Sequence, residues 1–223
     1  MGLHIGAWIV AGLWGIFVGF ATTRYLKKRG FEVPDLYLLP FPLRLGLETA
    51  FLCALEYSLA NYFTHGEIVH PWTHLLPGYF LTAPLVALLL TDARFKLLPN
   101  RILLPTAAVL LPLLSIFAIA QRNLWSLLRI WVLALAAGVI LGLATLAGLG
   151  MGDVKLGALL SAWMGLYGWM APVVMLFIAT VLGGVLALGQ LVTRRFDLKS
   201  HIAFGPWLIC GAFITWILYL PGL

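Results

Sequence analysis

The sequence predicts an all-α, polytopic integral membrane protein with about eight membrane segments and its N-terminus outside. Three observations carry that expectation. Of 223 residues, 62% are hydrophobic and 10% charged, and the mean hydropathy is +1.02; no water-soluble domain of this length hides so much apolar surface. The apolar residues come in long runs, matched to a hydrocarbon core of about 30 Å at roughly 1.5 Å per helical residue. The basic residues gather in alternate loops between those runs.

The first run, Leu3 to Thr23, has no basic residue before it and Arg24, Lys27, Lys28 and Arg29 after it. A secretory signal has the opposite order, so the run reads as an anchor with a basic cytoplasmic flank. Residues 24–43 make a short proline-containing loop without cysteine. A second span, Leu43 to Phe63, carries Glu48 and Glu56. A polar segment follows with His65, Glu67, His70 and His74; Pro71 breaks the helical His70/His74 spacing, so the segment reads as an outer loop rather than a metal site. A third span from Leu75 to Thr91 ends at Asp92.

After the basic turn 93–101, span four covers Ile102 to Ala120, and span five runs from Leu127 to Leu149. That span delivers the chain to Gly150-Met151-Gly152-Asp153-Val154-Lys155-Leu156, an acid and a base set among glycines. A short apolar piece (Leu156 to Leu166), a longer one (Met170 to Val192), a basic loop (Thr193 to His201) and a last span (Phe204 to Leu220) complete the order. Glu56, deep in its span, needs a partner or a proton, and Arg129 or an interhelical hydrogen bond would supply it. Glu48, near the cytoplasmic side, is placed to border a site there.

With the N-terminus outside, inner loops hold Arg24, Lys27, Lys28, Arg29, Arg44, Arg94, Lys96, Arg101, Lys155, Arg194, Arg195 and Lys199, against Arg122 and Arg129 outside. The asymmetry follows the positive-inside rule and accounts for the +6 net charge without any nucleic-acid partner. Cys53 and Cys210 have no CxxC neighbour and read as buried thiols. The same charge pattern puts Asp92 and Asp153 at one membrane face, each at a span end. Two carboxyls at one depth suit aspartic chemistry: one, ionised, takes a proton from water while the other donates to the attacked carbonyl. Asp153, just before a short helix, is expected to be the ionised base, and Asp92, at a helix C-terminus, the protonated partner.

Gly150-Met151-Gly152-Asp153-Val154-Lys155-Leu156 resembles the GxGDxKL signature of the type IV prepilin peptidase (leader peptidase) family, GxGD-type intramembrane aspartic proteases. Asp92 with Leu98-Pro99-Asn100 is similar to the family's first aspartate and its downstream I/L-P-N. Ala203-Phe204-Gly205-Pro206-Trp207 is similar to its PFGP segment. The resemblance implies a single transmembrane peptidase domain over 1–223 in the bacterial cytoplasmic membrane. It implies Asp92 and Asp153 as the catalytic pair, Gly150, Gly152 and Lys155 in the active-site loop, and no cofactor or metal. The implied substrates are prepilins or pseudopilins, cut at the cytoplasmic face. Many family members have a larger first cytoplasmic loop with paired CxxC motifs and also N-methylate their product. The short loop 24–43 departs from that pattern, so the peptidase is expected and the methyltransferase is not. Two rival readings are a proton- or ion-coupled transporter, whose acids would sit near the bilayer midplane, and a non-catalytic pilus or secretion assembly protein, against which the intact aspartates argue.

Overall fold

A computed structural model describes residues 2–31, 40–63, 71–192 and 204–219. Among them are eight α-helices and no strand: α1 Gly2–Lys28, α2 Phe41–Phe63, α3 Pro71–Phe95, α4 Asn100–Ala120, α5 Leu124–Ala144, α6 Met151–Met164, α7 Ala171–Val192 and α8 Gly205–Tyr219. The predicted polar segment with His65, Glu67 and His70 lies outside the described residues, as do most of the first loop and the basic loop before α8. Four helical stretches are long and apolar enough to cross a membrane: Gly6–Lys28, Asn100–Ala120, Leu124–Ala144 and Ala171–Gly189. Their large side chains point outward, with Phe17 64%, Leu135 71% and Phe177 68% exposed, which a lipid solvent permits and water would penalise. The chain is a multi-pass membrane protein.

The structure divides into two compact units, 1–90 with 99–113, and 91–98 with 114–223. In the first, α1 and α2 lie against each other through glycines. A Cβ on Gly15 would sit 2.9 Å from both the Gly46 Cα and the Leu45 carbonyl oxygen, and one on Gly46 would overlap the Ile16 side chain. Close backbone approach of this kind replaces the hydrophobic drive that lipid removes. The third helix joins them through polar groups that would otherwise be stranded. Pro84 has no N–H for the Phe80 carbonyl one turn earlier, and the Trp14 indole of α1 donates to that oxygen at 3.0 Å. Glu56 takes its partner here too, accepting from the Thr82 hydroxyl at 2.7 Å. Of the two predicted solutions it is the interhelical bond that forms; Arg129 instead donates to Ser126 Oγ at 2.7 Å and to the Leu166 carbonyl at 3.4 Å, at the C-terminal end of α6. Glu48 pairs with Arg44 at 2.6 Å one turn away on α2.

In the second unit, α6 is the central element. Leu156, Leu160, Ala162, Trp163 and Met164 are fully buried on it. Gly157 leaves its space to Leu141 of α5, and a Cβ on Gly165 would stand 3.0 Å from the Ile130 Cα. Trp163 meets Phe213 of α8 edge-on at 5.8 Å. A Cβ on Gly211 would come within 2.6 Å of the Met175 carbonyl oxygen, so α8 also packs closely on α7.

Helix α1 runs on to Lys28, and α3 starts at Pro71, which takes His74 of the expected outer loop into the helix, and ends at Phe95; two further boundaries bear on the glycine-rich stretch. Span five was expected to reach Leu149, but α5 stops at Ala144 and a 3-10 turn, Thr145–Ala147, leads to Gly148 at φ +98°. A left-handed residue there ends the helix, which only glycine does without strain. Asp153 was expected just ahead of the next helix and instead lies in its first turn, because Gly150 already caps α6 in extended conformation.

Substituting Gly46→Val should lower the thermal stability of the detergent-solubilised protein by about 1–3 kcal/mol, the usual cost of overpacking. Gly6→Ala, where nothing lies within 4 Å, should leave it unchanged. Equal melting points for the two variants would contradict the glycine contact described for α1 and α2.

Candidate active site

Three pieces of sequence meet inside the second unit. The last turn of α3 supplies Asp92, the first turn of α6 supplies Asp153, and α8 begins between them at Gly205. Lys96, left-handed at φ 52°, ends α3 immediately afterwards, its N–H bonded to the Asp92 carbonyl at 2.8 Å. Asp92 is thereby fixed at a helix end rather than inside a span. Both carboxyls are buried, with Asp92 4% and Asp153 9% exposed, and neither lies within the four crossing stretches.

The beginning of α8 is what both acids face. Pro206 has no N–H, and the Trp207 N–H turns back to the Phe204 carbonyl at 3.1 Å. The Gly205 N–H, one of the orphan donors of a helix start, is left to act on Asp92 and Asp153 together. The approach is close: a Cβ on Gly205 would fall 2.5 Å from Asp92 Oδ2 and 3.4 Å from the Leu98 Cδ1. Leu98 reaches the other glycine as well, since a Cβ on Gly152 would lie 2.7 Å from its Cβ. Gly152 and Gly205 thus hold their room for the leucine of Leu98-Pro99-Asn100 and for the carboxyl of Asp92. Gly150 has a different use. As the N-cap of α6 it offers its N–H to Asp153, three residues on, and its own position lies beside Asp153 Oδ2. That is the return half of a capping box. One oxygen of each acid, Asp92 Oδ2 and Asp153 Oδ1, has no protein partner. Buried carboxylate oxygens are rarely left so unless a ligand or water is to meet them.

Burial pushes the Asp92 carboxyl above the ordinary carboxylate range, and the Gly205 N–H pulls it partly back. Asp153 is pushed up to about 6, first by burial and then by the negative charge of Asp92, against the N–H groups of Gly150 and Gly205. The expectation from helix ends, that Asp153 carries the charge and Asp92 the proton, weighed α3 and α6 alone; burial pushes both acids toward the protonated form, and the start of α8 favours the ionised form of each. The pair titrates as one unit.

Of the predicted site residues, Asp92, Asp153, Gly150 and Gly152 come together. Lys155 is half-buried on α6, and two residues along a helix turn it about 200° away from Asp153, onto the other face. Leu98 and Gly205 belong to the site and were not among the residues expected to form it. Their signal was present in the Leu-Pro-Asn and Phe-Gly-Pro runs, but not the fact that both runs end against the aspartates. Among the described residues no group of three His, Cys, Asp or Glu side chains is arranged to hold a metal ion.

Fold and site together define a helical membrane protein with a buried aspartate pair at a helix N-terminus. The model of the Type IV leader peptidase family matches residues 79–188, the stretch that holds both aspartates. The chain is similar to the prepilin leader peptidase/N-methyltransferase of Dichelobacter nodosus, 34% identical over 148 residues, which is 61% of this chain and 46% of the relative. It is also similar to the proteins of the same name from Aeromonas hydrophila (32% over 159 residues, 66% and 50%) and Dickeya chrysanthemi (29% over 177 residues, 77% and 59%). The chain spans about half the length of these relatives. No solved structure matches it.

A carboxyl whose pKa is higher in the folded than in the unfolded chain stabilises the fold only while protonated. Stability should be greatest below about pH 4 and fall as pH rises through about 6. Asp153→Asn should lessen that fall and make the protein more stable at pH 8, by up to about 3 kcal/mol for roughly two pH units, read as a higher melting point. At pH 4 it should change little. A variant that is no more stable than the parent at pH 8 would contradict the burial of a charged pair.

Proposed function

We propose that this chain is a membrane-embedded aspartic endopeptidase that removes the short basic leader from type IV prepilins or pilin-like proteins. The observation that carries the reading is the meeting of two buried carboxyls, each with an unpartnered oxygen, at the Gly205 N–H. The family match over both aspartates and the names of the relatives support the substrate class.

In this reading Asp92 is the ionised base and Asp153 the protonated acid. Water placed between them gives a proton to Asp92 as its oxygen bonds to the scissile carbonyl carbon. The carbonyl oxygen takes the proton of Asp153, giving a neutral gem-diol. The Asp92 proton then passes to the leaving nitrogen as the C–N bond breaks, and a diol hydroxyl returns its proton to Asp153. Products and catalyst balance without any other group. The glycines suit the same task, because a substrate backbone needs to come within contact distance of both acids.

The loop charges support eight membrane segments with the N-terminus outside and the aspartates toward the cytoplasm of a bacterial inner membrane. In that arrangement α2 and α3, of 23 and 25 residues, cross as well. On them, Glu56 accepts from the Thr82 hydroxyl and Glu48 pairs with Arg44, which suits a hydrocarbon setting. The short α6 and α8, of 14 and 15 residues, complete the set. The cysteine-free stretch 24–43 supports cleavage without methyl transfer, and a methylated N-terminus on the product would count against that part.

Co-expression with candidate prepilins tests the proposal. Leader loss should occur with the parent chain and drop by about 10²–10⁴-fold in Asp92→Asn and in Asp153→Asn, both still folded in the membrane. Cleavage retained by either variant would refute the pair. With purified protein, the rate should decline as pH rises through about 6, where Asp153 loses its proton. Gly205→Ala should cost about a hundredfold by displacing the Asp92 carboxyl. Gly184→Ala, in open space on α7, should cost nothing.

A further inference from the structure

At one end of the first unit, α1 and α4 enclose a polar recess of about 250 Å³ lined by Tyr25, Lys28, Arg29 and Arg101. Among the described residues that line it, three of four are cations and none is a carboxylate. Lys28 and Arg29 stand at the C-terminal end of α1, where the negative end of the helix accounts for them. Arg101 has no such reason. It is the second residue of α4, whose positive end disfavours a cation, and it converges on two more. The Arg29 guanidinium is held 5.8 Å above the Tyr25 ring centroid, which limits the orientations open to it. Like charges brought together from two helices repel one another, and an anion placed among them relieves that repulsion.

The depth of the recess selects the anion. Lys28 is the last residue of one crossing stretch, Gly6–Lys28, and Asn100 the first of another, Asn100–Ala120. The recess therefore lies where two helices leave the hydrocarbon, at the level of phospholipid phosphates. We propose that Tyr25, Lys28, Arg29 and Arg101 bind the phosphodiester head group of an anionic membrane lipid. The two guanidiniums supply the planar forks that match phosphate oxygens, Lys28 a point charge, and the Tyr25 hydroxyl a further donor. The bound lipid ties the end of α1 to the start of α4, and the inference stands whether or not the chain is a peptidase.

The test uses the full chain in detergent, titrated with phosphatidylglycerol, with phosphatidylcholine and with inorganic phosphate, and reads bound lipid by native mass spectrometry. Phosphatidylglycerol should be retained over phosphatidylcholine. Lys28→Gln, Arg29→Gln and Arg101→Gln should each weaken it about fivefold. Lys27→Gln, an exposed cation on the same end of α1 that does not line the recess, should leave it unchanged. Arg101→Lys keeps the charge and should lose less than Arg101→Gln, which keeps the test open if the glutamine variant folds poorly. Equal retention of the two lipids, or an equal loss in Lys27→Gln, would overturn the site. Phosphate that binds alone as tightly as phosphatidylglycerol would overturn the lipid as its ligand.

Discussion

The approach of the Gly205 backbone to two buried carboxyls is the constraint on which the second unit depends. Asp92 and Asp153 repel one another, and burial raises the cost of charging either. A single N–H cannot cancel that cost, but it is aimed at both acids and is fixed by a helix rather than by a mobile side chain. The surrounding packing keeps it in place. Gly211 lets α8 rest on the backbone of α7, and Trp163 of α6 meets Phe213 of α8. Leu98 fills the space that Gly152 and Gly205 leave. A side chain larger than hydrogen at either glycine would have to move the acid or the leucine.

The same close approach at glycine recurs at three helix pairs among the described residues. Lipid is as apolar as leucine, so helices gain little by burying leucine against leucine, and contact has to come from close fit and satisfied polar groups. Gly15 and Gly46 serve α1 and α2, Gly157 and Gly165 serve α5 and α6, and Gly183 and Gly211 serve α7 and α8. Polar groups follow the same rule. Trp14 answers the carbonyl freed by Pro84, and Thr82 answers Glu56. Each bond closes a donor or acceptor that hydrocarbon cannot.

Much of this was legible in the sequence, since run length and loop charge are one-dimensional properties. The helices stand within a few residues of the apolar runs, and the two aspartates are read at span ends from composition alone. What was not legible is what depends on a third element. The end of α5 was overestimated because Gly148 resembles any other glycine in an apolar run until its φ is known. The charge states of Asp92 and Asp153 were not legible from their own helix ends, because the start of α8, some fifty residues beyond Asp153, acts on both. Glu56 had two candidate partners at similar depth, and only the position of Thr82 on α3 decides between them.

The match to the Type IV leader peptidase family ends at residue 188, yet the N–H that both acids share belongs to residue 205. The segment that carries the acids is therefore smaller than the unit that sets their charge. Two carboxyls on α3 and α6 alone would have each other's repulsion, the capping N–H of Gly150 and no common donor. With α8 in place, each acid keeps one oxygen engaged or screened and one without a partner. Burial and the charge of Asp92 hold a proton on the pair, with Asp153 pushed up to about 6. That single proton, kept between two groups that could otherwise both ionise, is what an acid and a base of identical chemistry require in order to act differently. The glycine at the start of the last helix is thus as much a condition of that asymmetry as either aspartate.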